Sequence, residues 1–131
     1  MVKIMELNHE CIRDILLFSE ELPYLEHASG DQIFNSKRLK KYSSDQINYA
    51  ITRLGSNDAQ LIKGNVKITN GNPYITTISG LTFEGHKYLD NIRDPKVWSE
   101  SKKIASKLGS VSIDIMSTIA TSVITKMLHL D

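Results

Sequence analysis

His9, Glu10 and Cys11 follow one another, an imidazole, a carboxylate and a thiol on consecutive residues. The chemistry they suggest is metal ligation or thiol attack. A structural zinc site needs four convergent ligands at characteristic spacings, and this chain has a single cysteine and no closely spaced pair of histidines. A nucleophilic cysteine needs a base beside it, and no partner can be assigned. The pair therefore reads as structural. Glu84, His86 and Asp90 offer a second grouping, with His86 and Asp90 four apart and able to pair on one helix face. General acid–base work is the functional reading and a solvated helix face the plain one. The plain one is preferred, because no nucleophile, oxyanion donor or cofactor loop accompanies it. The seven glycines stand singly at caps and turns, so no phosphate-cradling loop exists. The expectation is a non-catalytic chain with no metal and no cofactor.

Binding chemistry is better represented. Lys37, Arg38, Lys40 and Lys41 form the one dense basic run, able to contact backbone phosphates. Just beyond it, Asn48, Tyr49, Thr52 and Arg53 share the polar side of a helix and are residue types that can reach base edges or phosphates. The plain reading of the run is a solvated basic loop. Near the C-terminus, Met116, Ile119, Ala120, Val123, Ile124 and Met127, extended by Ile113 and Leu130, form a wide apolar stripe. Such a stripe is ordinarily packed on its own domain. Its spacing of three and four also suits a seam between two copies, with Met116, Ile119, Val123 and Met127 as the tentative homodimer interface.

The whole chain limits these options. With 131 residues, 40% hydrophobic and 24% charged, it has the composition of a folded domain with a core of its own. Sixteen basic against 15 acidic side chains give a formal charge of +1, which argues against coating nucleic acid by bulk charge and leaves a local basic patch open. The N-terminus lacks the apolar core of a signal peptide. The most apolar stretch, 111–130, is interrupted by Asp114 and Lys126, so no membrane span is expected and the cytoplasm is the default.

The elements that must position these residues follow from caps and periodicity. Asn8 can cap a helix carrying Ile12, Ile15 and Leu16, which Pro23 stops near Leu22. Residues 24–42 are hard to read, with Ile33 and Phe34 suggesting a short strand. Ser43 and Gln46 fit a capping box, and Ile47, Ala50, Ile51 and Leu54 give the buried face of the next helix. Asn48, Thr52 and Arg53 then face solvent. Gly55 suits a left-handed cap in the turn 55–58. Two extended runs, 60–69 and 74–78, flank the turn formers 70–73 and predict a hairpin with Val66 and Ile68 on a buried face. Thr82 can cap a third helix, Asp94-Pro95 begins a fourth, and Ser112 caps a fifth running to about His129. The fold class is mainly α with a β-hairpin (α+β), with a boundary expected between residues 1–94 and a helical extension, 95–131. A helix before a two-stranded wing is the winged variant of helix-turn-helix, and a three-helix bundle with an unrelated hairpin gives the same pattern.

Several stretches resemble a known family. They are Tyr42-Ser43, Gln46-Ile47-Asn48-Tyr49, Gly71-Asn72-Pro73-Tyr74, Ile78-Ser79-Gly80-Leu81-Thr82-Phe83-Glu84-Gly85-His86, Leu89-Asp90-Asn91-Ile92-Arg93-Asp94, Val97-Trp98 and Gly109-Ser110-Val111-Ser112. Together they resemble a domain-of-unknown-function family common in bacterial phages and prophages and considered winged-helix-like. The block 81–98 is the most specific part, and the resemblance covers roughly residues 8–130. Ala50, where the family often has histidine, and the irregular link 55–60 depart from the pattern at the surface that would read a ligand. The resemblance implies a fold and a phage or prophage origin, and no reaction. Combined with the residues, it leads to a phage-derived winged-helix-type binding module, DNA-binding or regulatory, through Lys37, Arg38, Lys40, Lys41, Asn48, Tyr49, Thr52 and Arg53. The alternative is an adaptor that binds a host or phage protein without nucleic acid.

Overall fold

The computed structural model describes residues 6–56 and 58–129. Asn57 and Leu130, placed by the sequence reading in a turn and on the last apolar stripe, lie outside the described residues. The chain divides into two compact units, Met1–His86 and Lys87–Asp131, so the division falls eight residues before the expected one at Asp94. The mixed α+β class holds.

In the first unit, α1 (His9–Glu20) starts where Asn8 accepts a hydrogen bond from the Cys11 amide at 3.1 Å. Its buried residues are Cys11, Ile12, Asp14, Ile15, Leu16 and Ser19. The chain then makes a two-residue strand, β1 (Ala28–Ser29), and a five-residue helix, α2 (Gly30–Phe34). Ile33 and Phe34 are therefore helical, not a strand. The reason is a second capping box: Gln32 reaches back to the Ser29 amide at 2.9 Å and closes the first turn. α3 (Ser44–Leu54) has the expected box, with Ser43 Oγ accepting from the Gln46 amide at 3.1 Å and Gln46 Oε1 accepting from the Ser43 amide at 3.4 Å. Ile47, Ala50, Ile51 and Leu54 are buried, as their spacing requires. α1 packs on α3 and on the sheet.

Gly55 is not a left-handed cap. Its φ is −80° and its ψ −167°, which is extended backbone. A Cβ there would collide with the Gly64 carbonyl oxygen and stand 2.9 Å from the Ile51 carbonyl. Glycine is needed for close approach, not for handedness.

β2 (Ile62–Thr69) and β3 (Asn72–Leu81) are antiparallel partners, and β1 pairs with the other side of β3, giving the sheet order β1-β3-β2. The hairpin turns on two residues, Asn70 (φ 52°) and Gly71 (φ 79°), both left-handed, which matches the twist of the strands. Pro73 is thus part of β3, opposite Ile68, not part of the tip. The expected buried face of the hairpin does not form at its far end. Val66 is half-buried and Ile68 is 61% exposed. A register shift between Lys67 and Ile68 breaks the alternation, as a β-bulge does.

α4 (Phe83–Ile92) opens on Thr82, whose hydroxyl accepts from the Gly85 amide at 3.0 Å. In the second unit, α5 (Pro95–Ser106) starts at Asp94, which accepts from the Lys96 and Val97 amides at 2.8 and 3.2 Å. α6 (Ile113–Met127) starts at Ser112, which accepts from Ile115 at 3.1 Å. α5 and α6 pack together, burying Val97, Trp98 and Ala105 on one side and Met116, Ile119, Ala120 and Val123 on the other. No helix among the described residues is long and apolar enough to cross a membrane.

Candidate binding surface

Cys11 is fully buried. Burial, and then the Asp14 charge, push its thiol up to about 12, so the thiolate is not formed near neutral pH. The described residues contain no group of three or more His, Cys, Asp or Glu side chains able to hold a metal ion. Iodoacetamide should therefore label Cys11 in the native chain only as fast as the chain opens. The expected result at pH 8 is labelling slowed by more than about a hundredfold relative to the unfolded chain, followed by mass spectrometry. Equal rates would put the thiol at the surface.

The second grouping also comes apart. His86 Nδ1 stands 4.0 Å from Glu20 Oε2, and Asp90 is held by Arg93 at 3.0 Å, so His86 and Asp90 are not partners.

The basic run is only half free. Arg38 makes two hydrogen bonds of 2.9 Å to the Glu21 carboxylate and holds its pKa below the usual carboxylate range. Lys41 Nζ lies 3.2 Å from Asp14 Oδ2 and over the Tyr42 ring. Tyr42 donates to the same Asp14 oxygen at 2.6 Å, and burial together with that bond pushes its phenol above the usual range. Lys37 and Lys40 are exposed and carry no ion pair among the described residues. Between them Leu39 is fully buried and pins the run to the first unit.

On α3 the expected polar face is partly inverted. Asn48 is buried, with its Oδ1 accepting from the Thr76 hydroxyl at 2.7 Å, and so links the helix to β3. It is not available to a base edge. The cause is the position of β3 over that side of the helix, a contact 28 residues away in sequence. Thr52 is half-buried and donates to the Asn48 carbonyl at 2.8 Å. Arg53 is exposed, pairs with Asp58 at 3.0 Å and lies 5.6 Å over the half-buried Tyr49 ring.

Beside Asn48 lies a groove of about 530 Å³ between α2, the start of α3 and β3. Asp31, Phe34, Asp45, Pro73 and Ile75 line it, Asn48 and Thr76 form part of it, and its lining holds no Lys, Arg or His. Asp31 and Asp45 lie in the first turns of their helices, where the helix dipole favours a carboxylate. Composition gave no sign of this surface, because its parts come from three separate segments. A second unforeseen feature is the turn after Pro23, where Tyr24 and Leu25 are 90% and 84% exposed and Leu25 takes a left-handed φ of 68°.

The expected dimer stripe is mostly core. Met116, Ile119 and Val123 are buried within the single chain and only Met127, 45% exposed, remains on offer. Exposed apolar side chains of this unit lie instead at Ile104, Leu108, Ile115 and Leu128.

The model of one family, described as "Hypothetical protein (DUF2513)", matches residues 6–112. The chain belongs to the DUF2513 family. The DUF2513 match covers the whole groove and the block 81–98, and ends at Ser112, the cap of α6. The chain is also similar to a protein of Haemophilus influenzae (strain ATCC 51907 / DSM 11121 / KW20 / Rd) described as "Uncharacterized protein". The two are 30% identical over 125 residues, spanning 95% of this DUF2513 chain and 99% of the relative. No solved structure matches the chain.

Proposed function

We propose that this DUF2513 chain is a non-catalytic binding module of winged-helix type, of phage or prophage origin and working in the cytoplasm, and that its partner is a protein. The scaffold reading is supported by element order. α1, β1, α2, α3 and then the β2–β3 hairpin, with β3 between β1 and β2, is an order compatible with a helix-turn-helix followed by a wing. The observation that carries the choice of partner is the groove between α3 and the wing. On such a scaffold this surface would approach nucleic acid, and here it presents Asp31 and Asp45 with Phe34, Pro73 and Ile75 and no cation. Carboxylates facing a phosphate backbone oppose binding, whereas apolar walls with a charged rim suit a polypeptide.

A second reading, DNA binding, draws support from Lys37, Lys40, Tyr49 and Arg53, which keep exposed or half-exposed cationic and aromatic groups near α3. Two free lysines release few counterions, so the salt-dependent affinity would be small. One comparison separates the readings. Random duplex at low salt should show no electrophoretic shift at about 10 µM protein, a concentration where nonspecific binding is ordinarily visible. Capture of a host or phage protein by the tagged chain should survive nuclease. A shift that Lys37→Glu with Lys40→Glu removes, together with nuclease-sensitive capture, would replace the adaptor with a DNA-binding factor.

A further inference from the structure

β3 is the middle strand, yet β1 covers only two of its positions, Ile78 and Thr77. After Ser29 the chain turns into α2. From Thr76 toward the hairpin tip, no strand among the described residues pairs with the β1 side of β3. The acidic groove opens along this unpaired edge, with α2, which packs on β3, as its other wall. An uncovered sheet edge is a template for another strand, and proteins ordinarily blunt such edges with charge or proline. The outer strand β2 carries such charges, with exposed Lys63 and Lys67. The β3 edge has Pro73 only near its far end, and beside it stand apolar walls and two carboxylates.

We propose that the groove takes an extended segment of a partner protein, added to β3 in the line that β1 begins. This deepens the adaptor reading and rests on it. An added strand gains affinity from main-chain hydrogen bonds and specificity from pockets that receive alternate side chains. Here the lining offers both kinds of contact. Apolar side chains meet Phe34 and Ile75, and a lysine or arginine meets Asp31 and Asp45. Gly30, the first residue past β1, already lies against this edge, where a Cβ would meet Phe34 at 3.4 Å and Thr76 at 3.8 Å, so the incoming chain runs from Ile75 toward the hairpin tip. The Asn48–Thr76 hydrogen bond satisfies two buried polar groups of the groove without a ligand, so it stays formed when the segment docks.

The test uses the full isotope-labelled chain and three blocked heptapeptides. One alternates valine and lysine, one alternates valine and glutamate, and one is the lysine peptide with a central proline. The lysine peptide at about 1 mM should shift the backbone amides of Asp31, Asn48, Ile75, Thr76 and Thr77. The glutamate and proline peptides should bind at least about tenfold more weakly, one through like-charge repulsion and the other through lost strand hydrogen bonds. Asp31→Lys with Asp45→Lys should reverse the preference of lysine over glutamate, and the unperturbed amides of the rest of the chain report that this variant is folded. No shifts at the groove, equal shifts with all three peptides, or the same shifts on merely concentrating the chain alone would overturn the proposal. The last result would assign the groove to a second copy. Failure here is distinguishable from failure of the adaptor reading. Nuclease-resistant capture of the same protein by wild type and by the double variant alike would leave the adaptor standing and remove the groove.

Discussion

Gly85→Ala is expected to destabilise the chain by about 3 kcal/mol, despite replacing the poorer helix former with the better one. Position 85 lies in the first turn of α4, where alanine ordinarily gains about 1 kcal/mol over glycine. A methyl group there would fall on the Leu61 carbonyl oxygen and come within 3.2 Å of Leu81 Cδ2. The first obstacle is backbone, so it cannot rotate away. It is also fixed twice over: Leu61 O accepts from the Thr82 amide at 3.1 Å, and the Thr82 hydroxyl donates to the Gln60 carbonyl at 2.6 Å while accepting from Gly85. Making room means pulling the helix start from the β2 start and losing that latch. Overpacking against a rigid neighbour costs typically 1–3 kcal/mol, and the latch adds a hydrogen bond of about 1 kcal/mol, so the clash outweighs the propensity gain. Thermal unfolding should show the midpoint lowered by about 10 °C, with Glu84→Ala, one residue earlier and exposed, near wild type. A midpoint for Gly85→Ala at or above wild type would mean that the close approach does not exist.

Gly85 illustrates where sequence reasoning ends. In the sequence it is one more glycine near a helix start, with nothing nearby to say why glycine is required. Gly55 was assigned a handedness it does not have. In both cases the constraint is a carbonyl from another element, Gly64 or Leu61, and no local pattern reports it. What was legible was local chemistry: the Asn8, Ser43, Asp94 and Ser112 caps, the 3.6-residue burial of α3 and the two-strand hairpin each rest on residues within a few positions of one another. What was not legible was set by distant partners. β1 is a strand only because Ile78 and Thr77 lie beside it, Asn48 is buried only because Thr76 bonds to it, and Arg38 is occupied only because Glu21, 17 residues earlier, faces it. The candidate groove is built wholly from such distant pairings, which is why the sequence pointed to the basic run instead.

The second large effect is expected at Leu39. Leu39→Ala should cost about 3 kcal/mol, while Lys37→Ala and Lys40→Ala on either side should stay within about 0.5 kcal/mol of wild type. In the sequence Leu39 is one apolar residue inside a run of four cations, and a window average there sees only charge. In the structure it is completely buried, and the turns around it are built to deliver it. The Leu39 amide donates to Ser36 O at 3.2 Å and to Ser36 Oγ at 3.3 Å, the Lys40 amide donates to Ser36 O at 2.9 Å, and Tyr42 donates back to the Leu39 carbonyl at 3.0 Å. Truncation removes most of a side chain from the core and leaves a cavity, which costs 2–5 kcal/mol for a buried leucine. The charged neighbours offset little of this. The Arg38–Glu21 pair is substantially exposed and contributes less than about 1 kcal/mol, and Lys37 and Lys40 contribute no pair. Urea unfolding of the three variants would measure the ordering. It would also decide what the basic run is. With Leu39 dominant, residues 37–41 are an anchored segment whose cations project from a buried leucine. Equal small losses for all three substitutions would make the run an unanchored loop, and would remove the fixed position of Lys37 and Lys40 on which the DNA-binding reading depends.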